Sequence, residues 1–485
     1  MGDNLKRKMM DALAWSSIDR LGQQVVQFVI GLILARLLNP TDFGLLGMVM
    51  IFSALSYVLV ESGFGQALIR KQDANEIDYN TIFYFNIVTS VLLYLILFTF
   101  SPAIARFFVQ PKLVIVGRII FLAILFNALY LVPFTKLAKE MDFRTIAKVN
   151  IFSTLISGIC GIIVAFLHFG IWALVTQQVL YQLLRLITIH FYVKWRPQFI
   201  FSFKVLSGFW KFSINLLATS VLNVLFNNMY VLLLSYKGYY PIRQVGYYTQ
   251  SNKLSETFNF TFQSILVGST YALFTQIQHD DVRFRHIFRE IAKKTSIITI
   301  PILLVLIAVA NPFIFVLLSE KWIPIVPYFQ LLCLASLFGP LYTLNVSALN
   351  SRGKSKATFQ IELLKKILIL ISVVVSYHFG IIAMLCGYVL ACFIAFLIST
   401  IYLKNDLNHF YKHQLKDFIG SLSIGLFISI IVFGFSFFLN NNYLLLGFQI
   451  SFSVVLYIIC LRLFEKVLFK KVITFLGEKI SKIKI

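Results

Sequence analysis

Long apolar runs alternate with short polar breaks from one end of the chain to the other. Fourteen runs lie near 12–38, 43–64, 79–101, 113–134, 145–167, 171–193, 208–236, 246–277, 288–318, 324–349, 357–377, 381–403, 416–438 and 443–464. As helices, runs of roughly 20 residues cross a hydrocarbon core of about 30 Å. The polar connections are too short to hold a folded extramembrane domain. The pattern predicts an all-α, polytopic membrane protein of about 14 transmembrane helices.

The first run is not uniformly apolar. It carries Ser16, Arg20, Gln23, Gln24 and Gln27 toward one side. Positions three, four and seven apart share a helix face, so this span lines something wet instead of facing lipid all round. A tight reversal follows at Leu38-Asn39-Pro40-Thr41-Asp42-Phe43-Gly44. The second run closes at Glu61-Ser62-Gly63-Phe64-Gly65.

The chain repeats itself. His168-Phe169-Gly170-Ile171 separates runs five and six, and His378-Phe379-Gly380-Ile381 separates runs eleven and twelve, 210 residues later. Phe43-Gly44 has a weaker counterpart at Val245-Gly246. Runs one to six thus correspond to runs seven to twelve, and an even count gives both halves the same orientation. The expected organisation is an N-terminal six-helix lobe over 1–203 and a C-terminal six-helix lobe over 204–405, around a central cavity. An extra helix pair and a basic cytoplasmic tail occupy 406–485.

Composition narrows the class. Of 485 residues, 59% are hydrophobic and only 13% charged, with mean hydropathy +0.83. Soluble domains are nearer 45–50% apolar. A net charge of +23 would suit nucleic acid in a soluble chain. Here it reports topology, because positive charge collects on cytoplasmic loops. With the N-terminus inside, 31 Lys and Arg fall on inner segments and 6 on outer ones, a bias that a miscounted span would scramble. No removable signal peptide is expected. The five cysteines all fall within runs without a CxxC, so neither metal nor disulfide is indicated. There is no GxxxxGK[ST], no HExxH and no long loop with paired acids, which argues against an ATPase, a metalloprotease and an outward-facing polymerase.

Charged and amide side chains inside spans are the functional candidates. For substrate binding these are Arg20, Gln24, Gln27, Gln178, Arg185, Asn223, Asn227, Lys253, Asn259 and Gln263. The cations would attract an anionic headgroup such as a diphosphate, and the amides would meet sugar hydroxyls. Asp19, Glu61 and Glu256 are the candidates for coupling to H+ or Na+, with no other cofactor expected. A second reading stands beside each. The amides equally suit bonds between helices, and cations near span ends snorkel. Asp19 is neutralised by adjacent Arg20, and Glu256 by Lys253 three residues before it. Pro301, Pro312 and Pro340 are expected to bend their spans.

Ala35-Arg36-Leu37-Leu38-Asn39-Pro40-Thr41-Asp42-Phe43-Gly44-Leu45-Leu46-Gly47-Met48, with Glu61 to Arg70 after it, resembles the bacterial Wzx-type oligosaccharide flippases. These form the polysaccharide-transporter branch of the multidrug/oligosaccharidyl-lipid/polysaccharide (MOP) exporter superfamily. The resemblance runs along essentially the whole chain. It implies two six-helix lobes forming a V, alternating access and a non-enzymatic role. It implies a polyprenyl-diphosphate-linked oligosaccharide moved from the inner to the outer leaflet of the bacterial inner membrane for O-antigen, capsule or exopolysaccharide. Polysaccharide polymerase and glycosyltransferases are the expected partners, and nucleic acid is not. The alternatives are a lipid II or multidrug exporter of the same superfamily, or a non-transporting scaffold of an envelope-assembly complex. The family carries no compact catalytic motif, so the candidate residues rest on their polar faces alone.

Overall fold

The computed structural model describes the backbone of residues 2–407 and 410–464, and their side chains outside 2–9, 13, 211–212, 260–269, 272, 405–407, 410–413 and 464. The expected basic tail at 465–485 and the side chain of Gln263 lie outside the described residues.

Among the described residues the regular secondary structure is all helical. In order come α1 (Gly2–Leu37), α2 (Pro40–Glu61), α3 (Phe64–Arg70), α4 (Glu76–Phe107), α5 (Leu113–Ile120) and α6 (Leu122–Lys139). Then follow α7 (Phe143–Phe166), α8 (Ile171–Tyr192), α9 (Phe203–Ser235), α10 (Ile242–Gln276), α11 (Asp281–Ala308) and α12 (Ala310–Leu318). The last are α13 (Val326–Ser336), α14 (Gly339–Ser351), α15 (Ser355–Ser376), α16 (Ile381–Leu407), α17 (Phe410–Gly434) and α18 (Asn442–Phe464).

Every predicted span falls on one helix or on two consecutive ones. Eleven helical segments among the described residues are long and apolar enough to cross a membrane. The other three predicted spans are α8, α10 and α15, of 22, 35 and 22 residues. At about 1.5 Å per residue even 22 residues reach roughly 33 Å. These three fall short in composition because they carry Gln178, Gln182 and Arg185, Lys253 and Glu256, and Glu362, Lys365 and Lys366.

Local chemistry sets the breaks. The Asn39 N–H donates to the Asp42 carboxylate at 3.0 Å, and Pro40 takes the first helical position of α2, where its missing N–H costs nothing. At α4 the Asn75 side chain accepts from Asp78 N–H at 3.1 Å while Asn75 N–H donates back to Asp78 at 2.9 Å, a complete capping box. Of the three prolines expected to bend spans, Pro312 and Pro340 lie in the first turns of α12 and α14, so they start new helices after a break. Pro301 lies within uninterrupted α11.

Contacts divide the chain into two compact units, Met1–Gln250 and Ser251–Ile485. In the first, α7 packs along α8 and α1, α6 along α8, and α2 along α9. In the second, α11 packs on α17, α15 and α14 on α16, and α12 on α18. The helix pair expected as an addition is therefore seated on α11 and α12. The first unit takes in α9 and the opening turns of α10, which the sequence pattern grouped with 204–405. α9 joins it by packing along α2, α3 and α4, and the opening turns of α10 join through the glycine pair of the weaker repeat. A Cβ on Gly246 would lie 1.8 Å from the Pro40 carbonyl oxygen, and one on Gly44 would lie 2.5 Å from that of Ile242. Only hydrogen side chains let the starts of α2 and α10 touch backbone to backbone. The stronger repeat marks one helical hairpin in each unit, α7–α8 and α15–α16, with α8 and α16 beginning directly after Gly170 and Gly380.

Candidate functional site

Five helices of the first unit bring polar side chains together inside it. On α1, Asp19 accepts from Gln23 Nε2 at 2.8 Å and from Asn150 Nδ2 of α7 at 3.2 Å. The other end of the Asn150 amide, Oδ1, accepts from Arg185 Nε of α8 at 3.1 Å. Arg185 Nη1 donates to Gln182 Oε1 at 3.1 Å. The guanidinium stands 3.9 Å from the ring centre of Tyr130 on α6 and 5.2 Å from that of Tyr181. Tyr181 OH donates to Gln23 Oε1 at 3.2 Å, and Gln182 also meets the Tyr57 hydroxyl of α2.

Charge is handled indirectly in this cluster. Asp19 and Arg185 form no direct ion pair; Asn150 bridges them, donating to the carboxylate and accepting from the guanidinium. A charged group in a low-dielectric interior needs such partners, and aromatic faces add cation–π attraction. Asp19 is thus engaged across the bundle, and its sequence neighbour Arg20 lies on another face of α1.

That face completes a three-sided helix. Ile18, Leu21, Val25 and Val29 form an exposed apolar stripe. Asp19, Gly22 and Gln23 turn toward α7 and α8. Arg20 and Gln27 are exposed and Gln24 half-buried on the third side. None of these three makes a side-chain hydrogen bond or ion pair among the described residues, so they form an open polar face. Gln178 is half-buried one turn before Gln182 on α8. Glu61 is exposed at the end of α2, one turn beyond Tyr57, where Ser62 and Gly63 both take left-handed backbone (φ 45° and 72°). Asn223 and Asn227 are exposed on α9.

In the second unit Lys253 and Glu256 are both exposed on α10. The expected Lys253–Glu256 pair does not form: Glu256 Oε1 accepts from Asn252 Nδ2 at 2.8 Å. Asn259 donates to the Ser336 hydroxyl of α13 and borders a cavity of about 90 Å³ with Tyr342, Lys365, Tyr388 and Cys392. Tyr342 OH donates to Glu362 at 2.7 Å, and Lys365 lies 4.3 Å from the Tyr342 ring centre.

The structure therefore joins Asp19 and Arg185 in one network and places Gln178 beside it. It leaves Arg20, Gln24 and Gln27 on a separate face and puts Lys253, Glu256 and Asn259 in the other unit. The pattern along the chain did not single out Asn150, Tyr130 or Tyr57. Asn150 did carry a signal, because it shares a stripe with Ser153, Thr154 and Ser157, all buried on α7.

A family model described as "Polysaccharide biosynthesis protein" matches residues 33–327. The chain is 25% identical over 440 residues to the teichuronic acid biosynthesis protein TuaB of Bacillus subtilis (strain 168), across 89% of this chain and 90% of that one. It is 25% identical over 324 residues to the succinoglycan biosynthesis transport protein ExoT of Rhizobium meliloti (strain 1021), across 67% of this chain and 65% of that one. Among solved structures, the lipid II flippase MurJ in an inward closed conformation superposes with a TM-score of 0.76 at 17% identity, covering 93% of this chain and 99% of that one. At that identity the likeness establishes the fold.

Proposed function

Because this chain belongs to the polysaccharide biosynthesis protein family, we propose that it is a flippase for a lipid-linked oligosaccharide. It moves a polyprenyl-diphosphate-linked repeat unit from the inner to the outer leaflet of the bacterial cytoplasmic membrane by alternating access. The cargo then feeds a polymerase, and glycosyltransferases supply it, for a surface polysaccharide. The protein is a multi-pass transporter and not an enzyme, with both termini on the cytoplasmic side.

The observation that carries this reading is the open face of Arg20, Gln24 and Gln27 on a bilayer-length helix whose other exposed stripe is apolar. A charged, amide-rich face on a span is costly in hydrocarbon and suits a water-filled path. An arginine meets a diphosphate with paired N–H donors, and amides meet sugar hydroxyls. Lys253 and Glu256 supply exposed charge on α10 in the same way. The family description, relatives named for teichuronic acid biosynthesis and succinoglycan transport, and the fold shared with a lipid II flippase support the same cargo class.

Movement is driven by an ion gradient. Asp19 is the coupling carboxylate, since its two amide donors tie it through Asn150 to Arg185. Binding H+ or Na+ there weakens the tie to α7 and α8, which is a change in helix packing and not only in charge. Glu61 and Glu256 are the further coupling candidates.

The test is charge reversal in cells. Arg20→Glu, Arg185→Glu and Lys253→Glu together are expected to abolish surface polysaccharide and to leave lipid-linked oligosaccharide accumulated, with the protein still in the membrane. Normal polysaccharide from the triple variant contradicts the assignment.

A further inference from the structure

We propose that the first unit carries a binding site for an anionic phospholipid of the inner leaflet, at the end of α8. A groove of about 460 Å³ is lined by Leu129, Leu186, Ile187, Phe191, His190 and Arg196. Four of these six are apolar and make a floor between α6 and α8 that suits an acyl chain. The other two are nitrogen-bearing and stand where the chain leaves α8. The His190 Nδ1 lies 2.8 Å from the Leu186 carbonyl oxygen, which leaves Nε2 for a second partner. Arg196 is exposed and makes no ion pair among the described residues.

The arginine is held in place by its own segment. Trp195 Nε1 donates to Glu76 at 2.6 Å, Gln198 N–H donates to Asn80 Oδ1 at 2.7 Å, and Ser202 N–H donates to Thr81 Oγ1 at 3.1 Å. Phe199 stacks on Tyr84 with ring centres 5.7 Å apart. The stretch between α8 and α9 is thereby strapped to the first turns of α4. A phosphate arriving there meets an arginine carried on an anchored segment, not on a loose loop.

The charge balance selects an anion. Lys71, Lys136, Arg289 and Arg352 each have a carboxylate partner. Lys194, Arg196 and Lys204 have none among the described residues, and the nearby Glu76 is engaged by Lys136 and Trp195. Phe191, Tyr192, Phe199, Phe201 and Phe203 are all exposed around this segment. Exposed aromatics beside basic residues mark the headgroup level of a membrane. The excess of Lys and Arg on this side of the spans places that level in the inner leaflet, where anionic lipids meet basic pockets between helices.

Native mass spectrometry of the full chain, released from bilayers of equal phosphatidylglycerol and phosphatidylcholine, tests the proposal. One phosphatidylglycerol is expected to be retained in preference to phosphatidylcholine. Arg196→Gln is expected to lower that occupancy about fivefold, from roughly 1 kcal/mol per basic residue at a membrane surface. Leu186→Trp, which fills the floor and keeps the charge, is expected to remove the lipid too. Equal retention of the two lipids overturns the proposal, as does unchanged phosphatidylglycerol occupancy in both variants. Displacement of phosphatidylglycerol by an equal amount of polyprenyl phosphate overturns it as well, and assigns the groove to the cargo's carrier.

Discussion

Arg185 gathers two amide oxygens and two tyrosine rings around one guanidinium. Its counter-charge, Asp19, sits one amide away. Asn150 holds both charges at once, so a change at either one is felt by α1, α7 and α8 together. A double-mutant cycle on Asn150→Ala and Arg185→Ala, read by thermal unfolding in detergent, is expected to give a coupling of roughly 0.6–1.7 kcal/mol, the range of interhelical hydrogen bonds in membrane proteins. Additive single effects would show that Asn150 and Arg185 are neighbours without being partners. Asp19 and Arg185 were legible in the sequence because a charge within an apolar run is conspicuous. Their partnership was not, since Asn150 lies 131 residues from Asp19 and only the packing of α7 on α1 brings them together. Tyr57 and Tyr130 look, in sequence, like any of the 22 tyrosines. Asp19 beside Arg20 misled in the opposite direction, because adjacent helical residues point about 100° apart.

At the scale of elements, each apolar run fell on helix, since the bilayer sets that length, while short α3 lay beyond the run before it. What run length does not report is how helices divide between units. The contact of α2 with α10 rests on Gly44 and Gly246, and its cost is predictable. Gly246→Val places a Cβ 1.8 Å from the Pro40 carbonyl oxygen. Overpacking of this kind costs about 1–3 kcal/mol or more, so a clear fall in melting temperature is expected. Gly420→Ala on α17 meets nothing within 4 Å. Replacing a helical glycine there is expected to gain roughly 0.5–1 kcal/mol. Differential scanning fluorimetry of the two variants decides the matter; equal effects would mean that the α2–α10 contact is not tight. The prolines teach a related lesson. Their presence within runs was plain, but whether each bends a helix or begins a new one depends on the neighbouring turn.

For the whole molecule, the distribution of Lys and Arg makes a topology that can be tested directly. In a variant without its five cysteines, single cysteines at Gln72, His168 and His378 report sidedness to an impermeant thiol reagent. Gln72→Cys is expected to react only from the cytoplasmic side, and His168→Cys and His378→Cys only from outside. Any other pattern breaks the even span count and the orientation of the repeat. That repeat was visible as two His-Phe-Gly-Ile turns because both close a helical hairpin of the same build. The nature of the cargo was legible only through resemblance and family, since no residue pattern spells a sugar.

The central claim is movement of a lipid-linked oligosaccharide across a bilayer, and its most direct measurement is transfer in reconstituted vesicles. A short-chain polyprenyl-diphosphate oligosaccharide is incorporated on one leaflet, and its appearance on the other is followed with a membrane-impermeant glycan-modifying enzyme. Transfer that requires the protein, rises with an imposed ion gradient and falls at least about tenfold in Arg20→Glu is the expected result. Transfer no faster than in protein-free vesicles under either gradient would contradict it.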